Sequence, residues 1–470
     1  MTMQKPLAGI MTFADPREEM YESMDWLKDF LRDSHNGLIN QLKKKADLID
    51  GKVNYSIKES KENVKRLIKD GMESLILHVS AWTFPSMPLL AANMAKFSGI
   101  PSILYGSGGL SGLTATKGAL EEVGIKVKVI WGNLKKITDF LNAASVQSKL
   151  RGMTLGLFGG LSMGIITGTI DLAQWQKKFG IIIEHIGQVE IIREAEKVSQ
   201  DSVQSFINWM NDNFKELIYD GKYVTDETLE KQVRCYLATK NLIKRYDLDF
   251  AALKCQPELS DHYVNQCLTP TFLNDPFDAE GLKNCMVCSC ETDANGALTM
   301  QILKILSGGK PTLFMDILLE SIRKKLVVCG NCGGSSTWWA NRSDDPVINL
   351  KSVTYGPHIH GKAGGGAIHY ISAPAEKVTW ARIARIDGKH VMYIIPSTIP
   401  ELTEKQINKI LNLAPQLKAW PLTFIKVECD LKELIQEYPS QHVHLVEGDY
   451  TSDLVETCEL LGIEPRIRGP

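Results

Sequence analysis

Two acidic residues in the middle of the chain stand at the ends of apolar runs. Glu291 closes the run CMVCSC, and Asp316 lies near the end of PTLFMDI. Between them, ALTMQILKIL has the composition of a helix that Asp293 or Asn295 could cap. This order predicts a βαβ unit with neighbouring strands, which would bring both carboxylates to the sheet edge where α/β proteins bind ligands.

Two converging carboxylates can do two kinds of chemistry. Their oxygens can hold a hard divalent cation, and they can exchange protons with a substrate. A structural interpretation fits the spacing equally well, because an acid can simply end a strand where the strand reaches solvent. The positions of Glu291 and Asp316 alone leave both interpretations open.

Histidines occur in two closely spaced pairs in the C-terminal third. His442 and His444 are two residues apart, and so are His358 and His360. On a strand such residues share a face, so each pair could offer two imidazoles to a metal ion. A hydrolase built on all four histidines is therefore an alternative, and the spacing does not choose between the pairs.

The cysteines include two CxxC pairs, Cys285 with Cys288 and Cys329 with Cys332. Zinc ribbons usually separate their two pairs by about 15–20 residues. Here 41 positions separate Cys288 from Cys329. On the strand predicted for CMVCSC, Cys285 and Cys288 would also face opposite sides. We interpret these thiols as packing residues, with a zinc or redox protein as the alternative.

The composition disfavours several classes of function. The 470 residues include 53 Lys and Arg against 55 Asp and Glu, so no net charge favours nucleic acid or an acidic membrane surface. The uncharged stretch of residues 153–170 contains five glycines, which a membrane helix would tolerate poorly. The first residues lack the features of a signal peptide, and ten cysteines are unremarkable in a reducing compartment, so we expect a cytoplasmic protein.

Alternating strand and helix patterns precede a β-rich region. Residues 1–150 show this alternation, and it resumes at TLGLFGG. We predict an α/β fold with two N-terminal Rossmann-like domains of parallel sheet, residues 1–150 and 151–325, the second carrying both acids. Residues 326–470 predict a smaller, mostly antiparallel β domain that carries His442. Asp387-Gly388 is its predicted hairpin turn, and residues 452–461 its last helix.

Several of these segments together resemble a known family. They are CETDANGALTMQIL, LFMDI, the hairpin of residues 378–389, and QHVHLVEGDYTSDLVETCELLGIEP. In combination they are similar to the L-fucose isomerase and L-arabinose isomerase superfamily. The resemblance covers most of the chain. It implies a divalent-metal-dependent aldose–ketose isomerase that works through an enediolate intermediate.

The resemblance also implies roles for individual residues. Glu291 and Asp316 match the two acid ligands of the metal, which also transfer protons in the family, and His442 matches the ligand histidine. The implied metal is Mn²⁺, with Mg²⁺ or Co²⁺ as other choices. Substrate-binding positions are implied for five further residues, with His444 also a reserve metal ligand: Arg17, Trp82, Gln256, Gln441 and His444.

A substrate and an assembly follow from the same resemblance. The substrate would be a monosaccharide such as L-fucose, L-arabinose or a C6-substituted aldose such as sulfoquinovose. Arg17 and Trp82 resemble residues that close the sugar site from a neighbouring subunit, so we expect a homo-oligomer, trimeric or hexameric, with active sites between subunits. Neither nucleic acid nor a membrane is an expected partner. The alternatives are a non-catalytic sugar-binding or sensory module and a zinc protein that uses the CxxC pairs.

Overall fold

The computed structural model describes residues 5–358 and 360–469. The chain forms two compact units, Met1–Lys149 with Ser452–Leu461, and Leu150–Thr451 with Gly462–Pro470. Among the helices of these described residues, none combines the length and the apolar composition that crossing a bilayer would require.

The first unit is built on a five-stranded parallel sheet in the order β2-β1-β3-β4-β5. Its strands are β1 Leu7–Phe13, β2 Asp47–Asn54, β3 Ser74–Val79, β4 Ser102–Gly106 and β5 Lys128–Trp131. Its helices are α1 Glu19–Ser23, α2 Trp26–Leu42, α3 Ile57–Lys69, α4 Ser86–Phe97, α5 Leu110–Glu122 and α6 Leu134–Leu150.

Both faces of this first sheet are covered by helices. On one face Leu75 and Leu77 of β3 pack with α3, α4 and α5, and on the other face Ile76 packs with α2 and α6. All six residues of β3 are buried. A strand buried on both sides must be apolar without alternation, which is the pattern that SLILHV shows.

The second unit contains the remaining strands. They are β6 Thr154–Phe158, β7 Ile182–Ile186, β8 Glu216–Leu217, β9 Phe250–Leu253, β10 Phe277–Asp278, β11 Gly281–Leu282, β12 Cys288–Cys290, β13 Leu313–Ser321, β14 Leu326–Gly330, β15 Thr354–Pro357, β16 Gly366–His369, β17 Ala375–Ile386, β18 Lys389–Ile399, β19 Leu422–Val427, β20 His442–Glu447 and β21 Glu464–Ile467. The strands β12-β9-β6-β7, in that order, form a four-stranded parallel sheet.

Most C-terminal strands form a seven-stranded sheet in the order β17-β20-β13-β14-β19-β18-β21. An extra antiparallel pairing of β17 with β18 closes the first six of these strands into a ring, and β21 adds to β18 in parallel. Such closure removes the exposed edges that an open sheet would leave. The ring places β13 and β20 side by side.

The helices of the second unit are α7 Leu172–Phe179, α8 Gln188–Ala195, α9 Gln200–Asn213, α10 Asp226–Arg245, α11 Glu258–His262, α12 Leu268–Asn274, α13 Ala294–Leu306, α14 Pro346–Leu350, α15 Glu404–Leu411 and α16 Leu431–Glu437. Short 3₁₀ turns occur at Ile166–Gly168, Ile322–Lys324, Thr337–Ala340 and Pro415–Ala419. The last helix, α17 Thr451–Leu461, follows β20 and belongs mostly to the first unit.

The predicted fold class is confirmed, because two parallel sheets precede a mostly antiparallel one. The hairpin at Asp387-Gly388 joins β17 to β18 as expected, and the last helix also forms. The proposed βαβ unit around α13 is wrong. Strand β12 belongs to the four-stranded sheet, whereas β13 pairs antiparallel with β14 and β20. The domain boundaries near residues 150 and 325 remain a prediction.

A buried carboxylate anchors the loop between β14 and the 3₁₀ turn Thr337–Ala340. Asp275 accepts hydrogen bonds from Ser336 Oγ at 2.5 Å, Thr337 Oγ1 at 2.6 Å and the Trp338 amide at 3.1 Å. This loop follows β14, the antiparallel neighbour of β13. Asp275 therefore fixes a segment that runs beside the strand of Asp316.

We expect Asp275→Ala to lower the free energy of unfolding by about 3 kcal/mol or more, because it leaves three buried donors without an acceptor. Urea denaturation of the purified variant would measure the loss. Asp344→Ala is the matched control, since Asp344 is exposed in the same region and its removal should change stability by less than about 0.5 kcal/mol. Equal stability of the two variants would contradict this role for Asp275.

Candidate active site

The strand pair β13 and β20 brings an acid and a histidine together. Asp316 and His442 are direct partners in the antiparallel register, so their side chains lie on the same face of the sheet. The distance from His442 Nε2 to Asp316 Oδ1 is 3.5 Å. The ring of Phe314, two residues before Asp316, packs against His442 with 4.4 Å between centroids.

The third side chain comes from the other sheet through an unusual turn. Strand β12 ends at Cys290, and the next two residues, Glu291 and Thr292, have φ angles of 59° and 53°. Left-handed backbone costs a non-glycine residue about 1–3 kcal/mol and is concentrated at functional sites. The turn directs Glu291 towards β20, where its Oε2 lies 2.9 Å from His442 Nε2.

These three residues form a compact group of potential ligands. One ligand atom each from Glu291, Asp316 and His442 lies within 4.8 Å of the others. Asp316 and Glu291 are partly buried, and His442 is fully buried. The spacing is short enough for one cation to contact all three side chains.

A fourth residue, Asp293, fixes the orientation of the histidine. Asp293 Oδ2 lies 2.6 Å from His442 Nδ1, and Asp293 Oδ1 also caps α13 by accepting from the Gly296 amide. With Nδ1–H donated to Asp293, the lone pair of His442 Nε2 points to Glu291. Carboxylate–histidine pairs of this kind orient metal-ligating imidazoles in many proteins.

A buried arginine balances the charge of Asp293. The Arg382 guanidinium on β17 pairs with Asp293 Oδ2, and neither side chain is exposed. Burial alone would raise the pKa of Asp293, but Arg382 and His442 hold that pKa well below its usual range. The sequence pattern gives no role to Arg382 and indicates only a helix cap at Asp293. The only sequence feature that indicated a role for Asp293 in the site is its position two residues after the candidate ligand Glu291.

The arrangement requires a proton or a cation between Glu291 and His442. A carboxylate oxygen and an unprotonated imidazole nitrogen 2.9 Å apart would both present lone pairs. Burial opposes protonation of His442, but Asp293 and Glu291 outweigh it and raise its pKa to about 9. Burial raises the pKa of Asp316 to about 7. Without a cation, a larger fraction of His442 and of Asp316 is therefore protonated at neutral pH than for the same groups in water.

We expect Mn²⁺ to bind more tightly as the pH rises from 6 to 9. Binding displaces the proton of His442, whose pKa is near 9, and below pH 7 also that of Asp316. Each displaced proton should increase the affinity about tenfold per pH unit. Titration calorimetry in buffers of different ionisation enthalpy would count the released protons. An affinity independent of pH over this range would contradict the ligand assignment.

Two cavities meet at Glu291. An open cleft of about 260 Å³ is lined by the turn after β6, including Gly159 and Ser162, and by Thr169 and His185. A smaller cavity on the other side is lined by Gln256, Cys332 and His358, among others. Glu291 lines both cavities. A small polar molecule in the cleft would therefore reach the acid directly.

The other predicted substrate-binding residues divide between the two units. Gln256 follows β9 and lines the smaller cavity. Gln441 Nε2 lies 3.0 Å from His442 Nε2. His444 lies behind the group, 4.0 Å from Asp293, and it is not among the three clustered ligands. Burial lowers its pKa well below the usual value.

Arg17 and Trp82 belong to the first unit, where they follow β1 and its neighbour β3. Arg17 pairs with Asp15 at 2.6 Å and stacks over Phe84, and its side chain is 45% exposed. Trp82 is 39% exposed. Both residues therefore lie at the carboxyl edge of the first sheet, with free surface for a ligand or a partner.

The residues that the structure describes do not form the alternative metal sites considered from the sequence, the CxxC zinc ribbon and the four-histidine site. Among the described residues, Cys285, Cys288 and Cys329 join no group of three ligand atoms, so the two CxxC pairs do not form a zinc ribbon. The histidine pairs also separate, because His442 joins the acids while His358 groups with two cysteines. A site of four histidines is not formed.

Comparison with known proteins decides the family. Residues 155–308 match the second N-terminal domain of L-fucose isomerase, and residues 329–467 match its C-terminal domain. Together these segments cover more than half of the chain. The chain belongs to the L-fucose isomerase family. Glu291 and His442 fall within the matched segments, whereas Asp316 lies between them, so its membership of the site rests on the structure.

Individual relatives of this L-fucose isomerase family member are distant. A sulfoquinovose isomerase from Priestia aryabhattai is 23% identical over 335 residues, which cover 70% of this chain and 67% of that protein. An L-fucose isomerase from Streptococcus pneumoniae strain 70585 is 22% identical over 302 residues, which cover 59% of this chain and 46% of that protein. Family membership makes the chain an aldose–ketose isomerase, which confirms the enzyme class predicted from the sequence.

Solved structures add no further argument. A periplasmic solute-binding protein from Actinobacillus succinogenes 130z with bound D-allose is 14% identical and covers 65% of this chain and 93% of its own. The TM-score of 0.17 is too low to support a shared fold.

The donor atoms of the site fit the metal that the family implies. Two carboxylates and one imidazole form an oxygen-rich set, which suits Mn²⁺ or Mg²⁺ better than Zn²⁺ with its preference for sulfur and nitrogen. The Nδ1 contact with Asp293 prepares His442 Nε2 for ligation. The residues present therefore fit a hard divalent cation.

Proposed function

We propose that the protein converts an aldose into its ketose, using a divalent cation held by Glu291, Asp316 and His442. The observation that carries the proposal is the convergence of these three side chains within 4.8 Å, with Glu291 lining two cavities. Family membership supports the reaction class.

The two carboxylates supply the proton transfers of the reaction. Moving a carbonyl from C1 to C2 requires a proton to leave one carbon and return to the other through an enediolate, while a second proton moves between the two oxygens. One acid of the pair Glu291 and Asp316 would move the carbon-bound proton, and the other would move the hydroxyl proton.

The cation complements these acids. When bound, Mn²⁺ would offset the negative charge that develops on two adjacent sugar oxygens. His442 on β20 would be one of its ligands, and Asp293 keeps the imidazole in the ligating tautomer. Arg382 neutralises the charge of Asp293, so the contact of Asp293 with His442 adds no net charge to the buried site.

The charge of the sugar depends on groups outside the two cavities. Neither cavity has a lysine or an arginine among the described residues of its wall. A sulfonate or carboxylate on C6 would therefore need a cation from outside these walls, and Arg17 of a neighbouring copy could supply it. L-Fucose, L-arabinose and sulfoquinovose are our candidate substrates.

We expect Gln256→Ala to raise KM about tenfold with a smaller effect on kcat, because the amide would bind the sugar without taking part in proton transfer. Steady-state kinetics at saturating Mn²⁺ would measure both constants. Gln188→Ala is a suitable control, since Gln188 bonds the neighbouring Lys254 carbonyl instead of lining either cavity. An unchanged KM would remove Gln256 from the sugar site.

The assembly and location are part of the proposal. Arg17 and Trp82 are exposed on the first unit, which suits a role in closing the sugar site of a neighbouring copy. We therefore propose a trimer or hexamer with shared active sites. None of the ten cysteines, all of them described residues, forms a disulfide, which suits the reducing cytoplasm.

The test is ketose formation from a panel of aldoses by metal-stripped protein, with and without Mn²⁺, in D₂O. The panel contains L-fucose, L-arabinose and sulfoquinovose. We expect Mn²⁺-dependent ketose from one sugar of the panel, and deuterium from solvent on C1 would support proton transfer through an enediolate, because a direct hydride shift introduces none. Absence of Mn²⁺-dependent ketose from every sugar of the panel would contradict the proposal. Sugar binding without turnover would favour the sensory-module alternative.

A further inference from the structure

A second group of potential metal ligands lies in the same unit, on the wall of the smaller cavity. Ligand atoms of Cys267, Cys332 and His358 lie within 4.8 Å of one another, and all three residues are buried. They share no member with the group of Glu291, Asp316 and His442. Both cysteines are free thiols.

The chain brings these residues together by a close backbone approach. Cys267 immediately precedes α12, and Cys332 lies on the loop after β14. Directly after Cys332, Gly333 has a φ of 138°, and a Cβ at that position would clash with Ala367 Cβ and would also meet Cys267 Cβ at 3.0 Å and Sγ at 3.1 Å. Only glycine allows the loop to pass so near Cys267. The Cys332 carbonyl also accepts a contact from Cys267 Sγ at 3.6 Å.

The imidazole of His358 has a free ligand atom in this group. Its Nδ1 lies 2.5 Å from the carbonyl oxygen and 2.9 Å from the amide nitrogen of His360. In the tautomer that donates Nδ1–H to the carbonyl, Nε2 keeps its lone pair. Within residues 5–358 and 360–469, Nε2 forms no hydrogen bond of standard geometry although His358 is only 2% exposed, and the Cys332 backbone lies close enough to influence the pKa of the ring. A buried, unpartnered nitrogen beside two thiols is suited to a metal ion.

We propose that Cys267, Cys332 and His358 bind a thiophilic divalent cation, with zinc as the preferred ion. Ligands about 2.0–2.3 Å from a tetrahedral zinc lie about 3.3–3.8 Å apart, a spacing that small side-chain rotations would reach here. Two sulfurs and one nitrogen select zinc over the hard cations suited to Glu291 and Asp316. Binding releases the two thiol protons to solvent, and the cysteines ligate as thiolates.

A further thiol is close enough to serve as a fourth ligand. The Cys290 thiol lies within hydrogen-bonding reach of Cys332 and could complete a set of three sulfurs and one nitrogen. Gln256 Nε2 is 3.8 Å from Cys332 Sγ, on the same wall as Glu291. The ion would therefore sit next to the proposed sugar pocket and yet use none of its metal ligands.

The experiment is a Co²⁺ titration of the metal-stripped full-length protein, followed by absorption in the near ultraviolet. A sulfur-to-cobalt charge-transfer band arises only with thiolate ligands, so the carboxylate site cannot produce it. We expect one Co²⁺ per chain to give the band, and Zn²⁺ to remove it by displacement. Absence of the band at saturating Co²⁺ would overturn the proposal.

Variants locate the ion. Cys332→Ser and Cys267→Ser should abolish the band, and His358→Gln should weaken Co²⁺ binding at this site at least tenfold. Cys329→Ser is the matched control, because Cys329 is a buried thiol on β14 outside the group and should leave the band unchanged. Circular dichroism would verify that each variant folds. A band that survives in both Cys332→Ser and Cys267→Ser would also overturn the assignment.

The proposal is independent of the isomerase reaction. Glu291→Gln should keep the cobalt–sulfur band, and Cys332→Ser should still bind Mn²⁺, as measured by electron paramagnetic resonance. Loss of the band in Glu291→Gln would show that there is one site instead of two. Failure of the sugar panel would leave the result of the cobalt titration unaffected.

Discussion

Glu291→Gln and Asp316→Asn should each lower kcat by about 10³-fold or more while the protein stays folded. Each substitution removes one cation ligand and one proton-transfer group, and general acid–base catalysis alone contributes about 10²–10⁴-fold. The amides keep the size of the acids, so packing around His442 should not change. Steady-state turnover of the active aldose at saturating Mn²⁺ would measure the loss.

Glu320→Gln is the matched control for this experiment. Glu320 lies on the same strand as Asp316 but is exposed, and its substitution should leave kcat within about twofold. Thermal unfolding should give similar midpoints for all three variants. If either acid variant kept most of its activity in folded form, the two residues would not be the catalytic pair.

Asp293→Asn should weaken Mn²⁺ binding about 10–100-fold, although Asp293 is not among the three clustered ligands. The substitution removes the carboxylate that holds His442 Nδ1–H, and the loss of such a partner typically costs this much affinity. It also leaves the Arg382 guanidinium buried without its counter-charge, which should reduce stability by about 3–5 kcal/mol. Calorimetric titration with Mn²⁺ below the unfolding temperature would separate the two effects.

A second helix cap provides the control. Asp171 caps α7 by accepting from the Gln174 amide, as Asp293 caps α13, but Asp171 is exposed and bonds no residue of the site. Asp171→Asn should therefore leave Mn²⁺ affinity unchanged. If Asp293→Asn lowered stability without changing the affinity of the folded protein, Asp293 would serve only the fold.

The sequence predicted individual strands and helices better than it predicted which strands pair with each other. The apolar run LFMDI indicated a strand, and residues 294–306 form the expected helix capped by Asp293. The sequence could not reveal that β13 pairs with β20, because the two strands are more than 100 residues apart and the choice depends on closing the ring. The acid and the histidine meet across that pairing, not across a βαβ unit.

The residues around the ligands were harder to predict than the ligands themselves. Glu291, Asp316 and His442 carried a family resemblance, but Arg382 lies in the middle of an apolar hairpin strand, where an arginine is usually solvent-facing. Its role depends on burial against Asp293, which local sequence does not encode. The same holds for Cys267, Cys332 and His358, which come from three separate segments and meet only in the folded unit.

The central claim is that one divalent cation, bound by Glu291, Asp316 and His442, is required for isomerisation. It is tested most directly by titrating metal-stripped protein with Mn²⁺ while bound ion and initial ketose formation are measured in the same samples. We predict that the rate rises in proportion to bound Mn²⁺, that both saturate at one ion per chain, and that Glu291→Gln loses both. Full turnover without Mn²⁺, or unchanged Mn²⁺ binding in Glu291→Gln, would contradict the claim.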